Sequence, residues 1–176
     1  MRIPLAIKWI KDEAAIAVAE FALIFPILFT LLISVWEVGS AIWVNQKTIA
    51  ASQIVADLIT RNMTVTQDQV NQAITAGRMA VQPFNTESYG VYILSVAFDE
   101  DDNPIEVWSE VSNMSADIGL IGKTQGLGNE GEGVVAVMVK YLYQPVLGGL
   151  VIGDINMEEV SFARGRRSAV VEFDGS

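Results

Sequence analysis

Cysteine and histidine are both missing from the 176 residues. Their absence excludes disulfides, thiolate nucleophiles, the usual Cys/His zinc sites and any proton transfer that rests on an imidazole. Positive charge is scarce: Lys and Arg number 11 against 21 Asp and Glu, giving a formal charge of −10 and a pI near 4.3. A nucleic-acid surface needs clustered cations to displace counterions, so this balance argues against one. Charged residues are only 18% of the chain and apolar residues 51%, with a mean hydropathy of +0.37. Such a chain is neither disordered nor an average soluble domain, and its length suits one domain plus an anchor. Neither a metal nor a cofactor is expected.

The apolar excess is concentrated. From Phe21 to Val44 the only charge is Glu37, and roughly 20 such residues in a helix cross the ~30 Å hydrocarbon core. Trp36 and Trp43 stand near the far end, where indole rings favour the membrane interface. Arg2, Lys8 and Lys11 precede the span, partly offset by Asp12 and Glu13, and the first cations after it are Lys47 and Arg61. That bias puts the N-terminus in the cytoplasm and the remainder across the membrane. Two other readings compete with a retained anchor: a buried core helix, and a cleaved secretory signal ending at Gly39, Ser40 and Ala41. The length of the run and the charge of Glu37 favour the retained helix.

Residues 45–61 contain no Gly or Pro, and Ile49, Ile54, Val55, Leu58 and Ile59 recur at near-helical spacing. One helix is therefore expected from about Ala14 to about Arg61, with Pro26 giving a local kink or a free carbonyl at Ala22. A second helix is expected from Thr66, as N-cap, to about Val81, with Val70, Ile74 and Met79 as its apolar stripe and Pro83 beyond its end. The period then changes. Tyr89–Phe98 and Ile105–Val111 read as strands around the turn Asp99–Pro104, and Val134–Tyr143 as the strongest strand. Pro145–Gly153 reads as a loop, and Met157–Arg164 and Arg167–Phe173 as closing strands. The expected class is α+β: a long N-terminal transmembrane helix continuing into a small head with one further helix and an antiparallel sheet. The expected division is a leader at 1–15, the membrane helix at 16–44, an extension and linker at 45–65 and an exported head at 66–176.

Glu20 is an acid beside an apolar membrane helix, preceded by Ala14, Ala15, Ala17 and Ala19 and followed by Phe21. A carboxylate near hydrocarbon costs several kcal/mol unless it is neutralised, solvated or paired. One reading is an interfacial glutamate within reach of water and headgroups. The other pairs it with a cation in the same layer. The residues Val18, Ala19, Glu20, Phe21, Ala22, Leu23 and Pro26, then a Leu-rich span ending in Glu37 and Gly39, resemble the N-terminal region of TadE-like and TadG-like proteins. These are pilin-related components of the bacterial tight-adherence (Flp, type IVc) pilus system. The resemblance covers about residues 13–60 and returns weakly near the end, in Val134–Val146 and the basic cluster Arg164, Arg166 and Arg167.

The resemblance implies a pilin-like subunit with a cytoplasmic leader, a helix in the bacterial inner membrane and a periplasmic head. It implies a minor pilin (pseudopilin) or assembly factor, not an enzyme, whose partners are other pilin or pseudopilin subunits and the inner-membrane assembly platform. In such families a prepilin peptidase cuts five residues before the glutamate. Carried over, the cut falls between Ala15 and Ile16, and Glu20 then neutralises the new Ile16 amine, with Phe21 and Pro26 in the same assembly segment. Ala15 stands where processed members usually have Gly; an uncut chain would be a fixed membrane component instead of a filament subunit.

Glu37 with Gly39 and Ser40 reads either as a helix-contact motif, since small residues permit close approach, or as a residue already near the outer interface. Asp99, Glu100, Asp101, Asp102 and Asn103 match part of a calcium-loop spacing with Glu110, but Pro104 occupies the place of the required Gly. A solvated hairpin turn is the expected reading. The glycines from Gly119 to Gly133 lack a GKS/T continuation, and Glu130 and Glu132 would repel phosphate, so a flexible loop is expected there. Arg164, Arg166 and Arg167 are the basic cluster of a region holding 8 cations and 17 acids from residue 45 onward. They read as pairing with local acids such as Glu158, Glu159 and Glu172, or as a contact for an acidic partner. The alternative to a pilus role is a membrane-anchored or secreted periplasmic binding domain or enzyme, which would need a catalytic set of Asp, Glu, Ser, Lys and Tyr alone.

Overall fold

A computed structural model describes residues 13–145 and 153–175. Most of the expected leader, with its cations, and most of the expected loop Pro145–Gly153 lie outside the described residues. Helix α1 runs Glu13–Ile59, 47 residues, or about 70 Å of rise. It passes through Pro26 without interruption. One turn on, the Thr30 hydroxyl donates to the Pro26 carbonyl at 2.8 Å, and the Ser34 hydroxyl donates to Thr30 at 2.7 Å. The helix has two halves with different surroundings. Up to Trp36 its side chains are largely exposed, whereas Glu37, Ala41, Val44, Thr48, Ala51, Ser52, Val55, Ala56 and Ile59 form a buried stripe. Spacing of three and four keeps that stripe on one face. The large residues expected to form it are only partly used: Ile54 is 37% exposed. Small side chains carry the contact because they let the helix axis lie close to the sheet.

After β1 (Thr64–Thr66), helix α2 runs Gln67–Val81. Its start is fixed by a capping box: Thr66 Oγ1 accepts from the Gln69 amide, and Gln69 Oε1 accepts from the Thr66 amide, which satisfies two otherwise orphaned donors. Val70, Ala73, Ile74, Gly77 and Val81 face inward. Met79, expected on that stripe, is instead 62% exposed, because the helical period puts Gly77 and Val81, not position 79, in line with Val70 and Ile74.

Strands β2 (Gly90–Phe98), β3 (Pro104–Ser112), β4 (Gly133–Tyr143) and β5 (Ile155–Ala163) form one antiparallel sheet in the order β3-β2-β4-β5. Alternation assigns Val91, Ile93, Val135, Val137, Val139 and Tyr141 to the face packed on α1 and α2. The opposite face, with Tyr92, Leu94, Val96, Phe98, Ala136 and Met138, forms a second apolar cluster with Leu120. Leu120 comes from α3 (Gly119–Gly122), a single turn inside the Gly-rich stretch expected to be a flexible loop. That stretch covers the second face because Leu120 is fully buried there and Met114 and Ile121 pack beside it.

The expected closing strand Arg167–Phe173 is corrected to a three-residue strand, β6 (Glu172–Asp174), which pairs in parallel with β1 and not with the main sheet. The reason lies at Val171. Its side chain is buried in the core, and its carbonyl accepts from both Ser95 Oγ and Trp108 Nε1 at 2.8 Å, so the backbone is anchored before it can run along a sheet edge. Arg166 and Glu172 amides donate to the Thr60 and Met63 carbonyls at 3.0 Å, tying this segment to the exit of α1.

Gly77 sits where α2 meets α1. A Cβ there would lie 2.3 Å from the Tyr89 hydroxyl and 2.6 Å from Val55 Cγ2. Gly77→Ala is therefore expected to destabilise the head by about 1–3 kcal/mol through overpacking, read as a lowered melting temperature of the detergent-solubilised chain. An unchanged or raised midpoint would contradict this packing.

Candidate membrane and assembly site

The N-terminal half of α1 qualifies by length and composition as a membrane span, and none of its most apolar window is buried by the rest of the chain. Leu23, Leu32, Val35 and Trp36 are each two-thirds or more exposed. A soluble core helix would bury such residues, so the helix is a candidate membrane anchor. The rings of Phe21, Phe25 and Phe29 follow one another at 5.3 and 5.7 Å along one face, the i, i+4 succession that a helix imposes.

Glu20 lies exposed one residue before this aromatic row, and no salt bridge joins it to a described residue. Ala15 and Ile16 occupy the first turns of α1, with Ile16 half exposed. Thus Ala15, Ile16, Glu20, Phe21 and Pro26 share one stretch of helix that the described residues leave largely exposed.

Glu37 and Gly39 part company. Glu37 is 1% exposed at the membrane-side end of the buried stripe, and neither carboxylate oxygen has a partner among the described residues. Above it, the Tyr143 hydroxyl donates to the Glu37 carbonyl at 3.5 Å. Gly39 faces away, with nothing within 4 Å of where a Cβ would stand. Beside it opens a mainly apolar cavity of about 780 Å³ between Trp36, Gly39 and Trp43 of α1, Phe84 of the loop after α2, and Tyr143 of β4. Trp43 meets Phe84 edge-on at 5.3 Å. Sequence reasoning missed this cavity because it depends on Phe84 and Tyr143, which only the fold brings to the helix; the two tryptophans were the available signal.

The arginines do not pair with the acids nearest in sequence. Arg164 meets Glu132 at 3.2 Å and donates to the Leu127 carbonyl at 2.7 Å. Arg166 reaches Asp57 of α1, which also takes Arg61 at 2.5 Å. Arg167 is exposed. The acidic residues 99–103 form the β2–β3 turn: Asp99 Oδ1 accepts from the Asp101 and Asn103 amides at 2.9 and 2.8 Å, and Asp102 takes a left-handed conformation. Among the described residues no group of three or more Asp and Glu side chains is arranged to hold a metal ion.

Glu158 of β5 sits between Lys123 at 3.1 Å and Lys140 at 3.2 Å. The hydrogen bond from Lys123 leads in holding its carboxyl below the ordinary value near 4.5; burial, next in size, opposes it, and the hydrogen bond and charge of Lys140 add to the lowering. A lowered native value means that the stabilisation is complete above the unfolded value and fades as pH falls through the native one. Because these side chains are well exposed, water screens the pair. Glu158→Gln is expected to cost less than about 1 kcal/mol at neutral pH and nothing at a pH low enough to protonate the native carboxyl, compared by denaturant unfolding at the two pH values. A second expectation concerns Glu37. Exchanging a buried carboxyl without partners for an apolar side chain removes a desolvation cost, so Glu37→Leu should leave the midpoint unchanged or raise stability by about 1–3 kcal/mol. A clear loss would mean that the carboxyl has a partner.

In comparison with known proteins, no curated protein and no solved structure matches this chain. One family model does, over residues 15–57, described as TadE-like protein. The match begins at Ala15, takes in Glu20, the apolar span and the Glu37–Gly39 pair, and stops two residues before α1 ends. The segment that carries the apolar span into the head is thus TadE-like, consistent with a component of the Tad pilus system.

Proposed function

We propose that the protein is a minor pilin (pseudopilin) or assembly factor of a bacterial tight-adherence pilus, nonenzymatic, acting through its membrane helix and its head. The observation that carries this reading is the coincidence of the TadE-like segment with a helix whose first half is apolar all round and uncovered by its own chain. Such a surface requires lipid or other helices around it. The N-terminus lies in the cytoplasm, the helix in the inner membrane and the head in the periplasm. The acidic head meets other pilin or pseudopilin subunits and the assembly platform, with Arg167 the exposed arginine of the basic cluster that has no ion pair among the described residues.

Glu20 acts in the apolar layer by accepting a cation, the Ile16 amine of its own or a neighbouring subunit once prepilin peptidase has cut after Ala15. Removing that acceptor leaves a buried positive charge in an assembled bundle, at a cost of several kcal/mol. A Glu20→Ala strain is therefore expected to lose pili while retaining the membrane-inserted protein, scored by electron microscopy and membrane fractionation. Normal pili in that strain would remove this role for Glu20. N-terminal sequencing of the membrane-isolated protein should begin at Ile16. A start at Met1 would make it a stationary assembly component, and a start near Ala41 would mean a secreted protein and end the pilus reading.

A further inference from the structure

The cavity at the junction of helix and head has a chemistry of its own. Its helix wall is continuous with the exposed apolar surface of α1, through Val35 at 72% and Trp36 at 67% exposure. If the span enters the bilayer near Phe21, about 20 residues of rise bring Trp36 to Trp43 to the outer interface. The volume, about 780 Å³, lies in the range of sites that enclose small molecules. Its wall is open at Gly39, where even a Cβ would meet nothing. Among the described residues no Lys or Arg lines it, and Glu87 is its single charged group.

The polar atoms deeper in are already engaged. Tyr141 donates to the Asn85 carbonyl at 2.7 Å and Ser88 Oγ donates to the Leu142 carbonyl at 3.1 Å. Glu87 accepts from Asn85 through Oε2 at 3.3 Å, while the residue remains exposed at the rim. An apolar slot at interfacial depth, with a carboxylate at its rim and no cation, suits a molecule with a hydrocarbon tail and an ammonium head.

We propose that this cavity seats one phospholipid of the outer leaflet, an acyl chain against Val35, Trp36 and Gly39 and an amine-bearing headgroup at Glu87. Anionic headgroups are disfavoured there by the Glu87 carboxylate, which no cation among the described residues neutralises. The proposal rests on α1 spanning a membrane and is independent of any role in a pilus. The bound lipid fills the space that would otherwise separate head from bilayer.

The full-length protein, extracted from membranes in mild detergent and incubated with equimolar phosphatidylethanolamine and phosphatidylglycerol, is examined by native mass spectrometry. The wild type is expected to retain one phosphatidylethanolamine with a preference of about tenfold, the value of one charge-assisted hydrogen bond. Gly39→Leu, which fills the slot from an open helix face, should abolish retention with an unchanged circular dichroism spectrum. Glu87→Gln, a surface change, should keep lipid bound and erase the headgroup preference. Equal retention by Gly39→Leu, or equal or better retention of phosphatidylglycerol by the wild type, overturns the proposal. A dimer that Gly39→Leu dissociates also overturns it, because the slot would then hold a second copy of the chain. Recovery of the protein only in the soluble fraction would overturn the membrane reading as well, which separates the two failures.

Discussion

The head is built against one stripe of small residues on the second half of α1. Ala41, Val44, Ala51, Val55 and Ala56 are all nearly or fully buried, and their size lets the helix lie against β4 and β5 with little between them. Close packing of this kind gains dispersion contacts that a bulkier stripe would hold apart. The Ser52 and Ser161 hydroxyls, 2.7 Å apart, can pair across the same contact because the two backbones approach so closely. Helix α2, the sheet and the C-terminal segment then add to a surface that α1 has already set.

Because the same helix also carries the apolar span, one rod bears two patterns. It is amphipathic after Glu37, where it packs on the sheet, and uniformly apolar before it, the pattern that suits lipid. No loop intervenes at the change. Glu37 marks that boundary, the last residue of the membrane-side half and the first of the buried stripe. Any tilt of the span in the bilayer is passed to the head without a hinge to absorb it.

Much of this was legible in the residues. The apolar run, the extension of the helix past it, the N-cap at Thr66 and four of the five expected strands of the head all follow from local pattern. What escaped shares a common cause: it depends on contacts between distant segments. Gly119–Gly122 reads as loop by composition, yet Leu120 is needed to close the second sheet face. Arg166 finds its acid on α1 and Arg164 finds one before β4, neither near it in sequence. At the assembly segment the reverse holds. The exposed apolar helix from Glu13 onward was legible because its pattern runs along a single element, with no tertiary contact involved.

The parallel pairing of β1 with β6 has a consequence for biogenesis. β1 follows α1 directly, yet its one strand partner among the described residues lies beyond the whole sheet, and the Val171 carbonyl just before that partner accepts from Ser95 and Trp108. A chain folding from its N-terminal side can assemble the β2–β3 hairpin and dock α2 early, but its core keeps a gap until residues 171–174 arrive. Closure of the head therefore waits on its last described segment, and a chain interrupted before Val171 leaves the Ser95 hydroxyl and the Trp108 indole without the carbonyl that accepts from them.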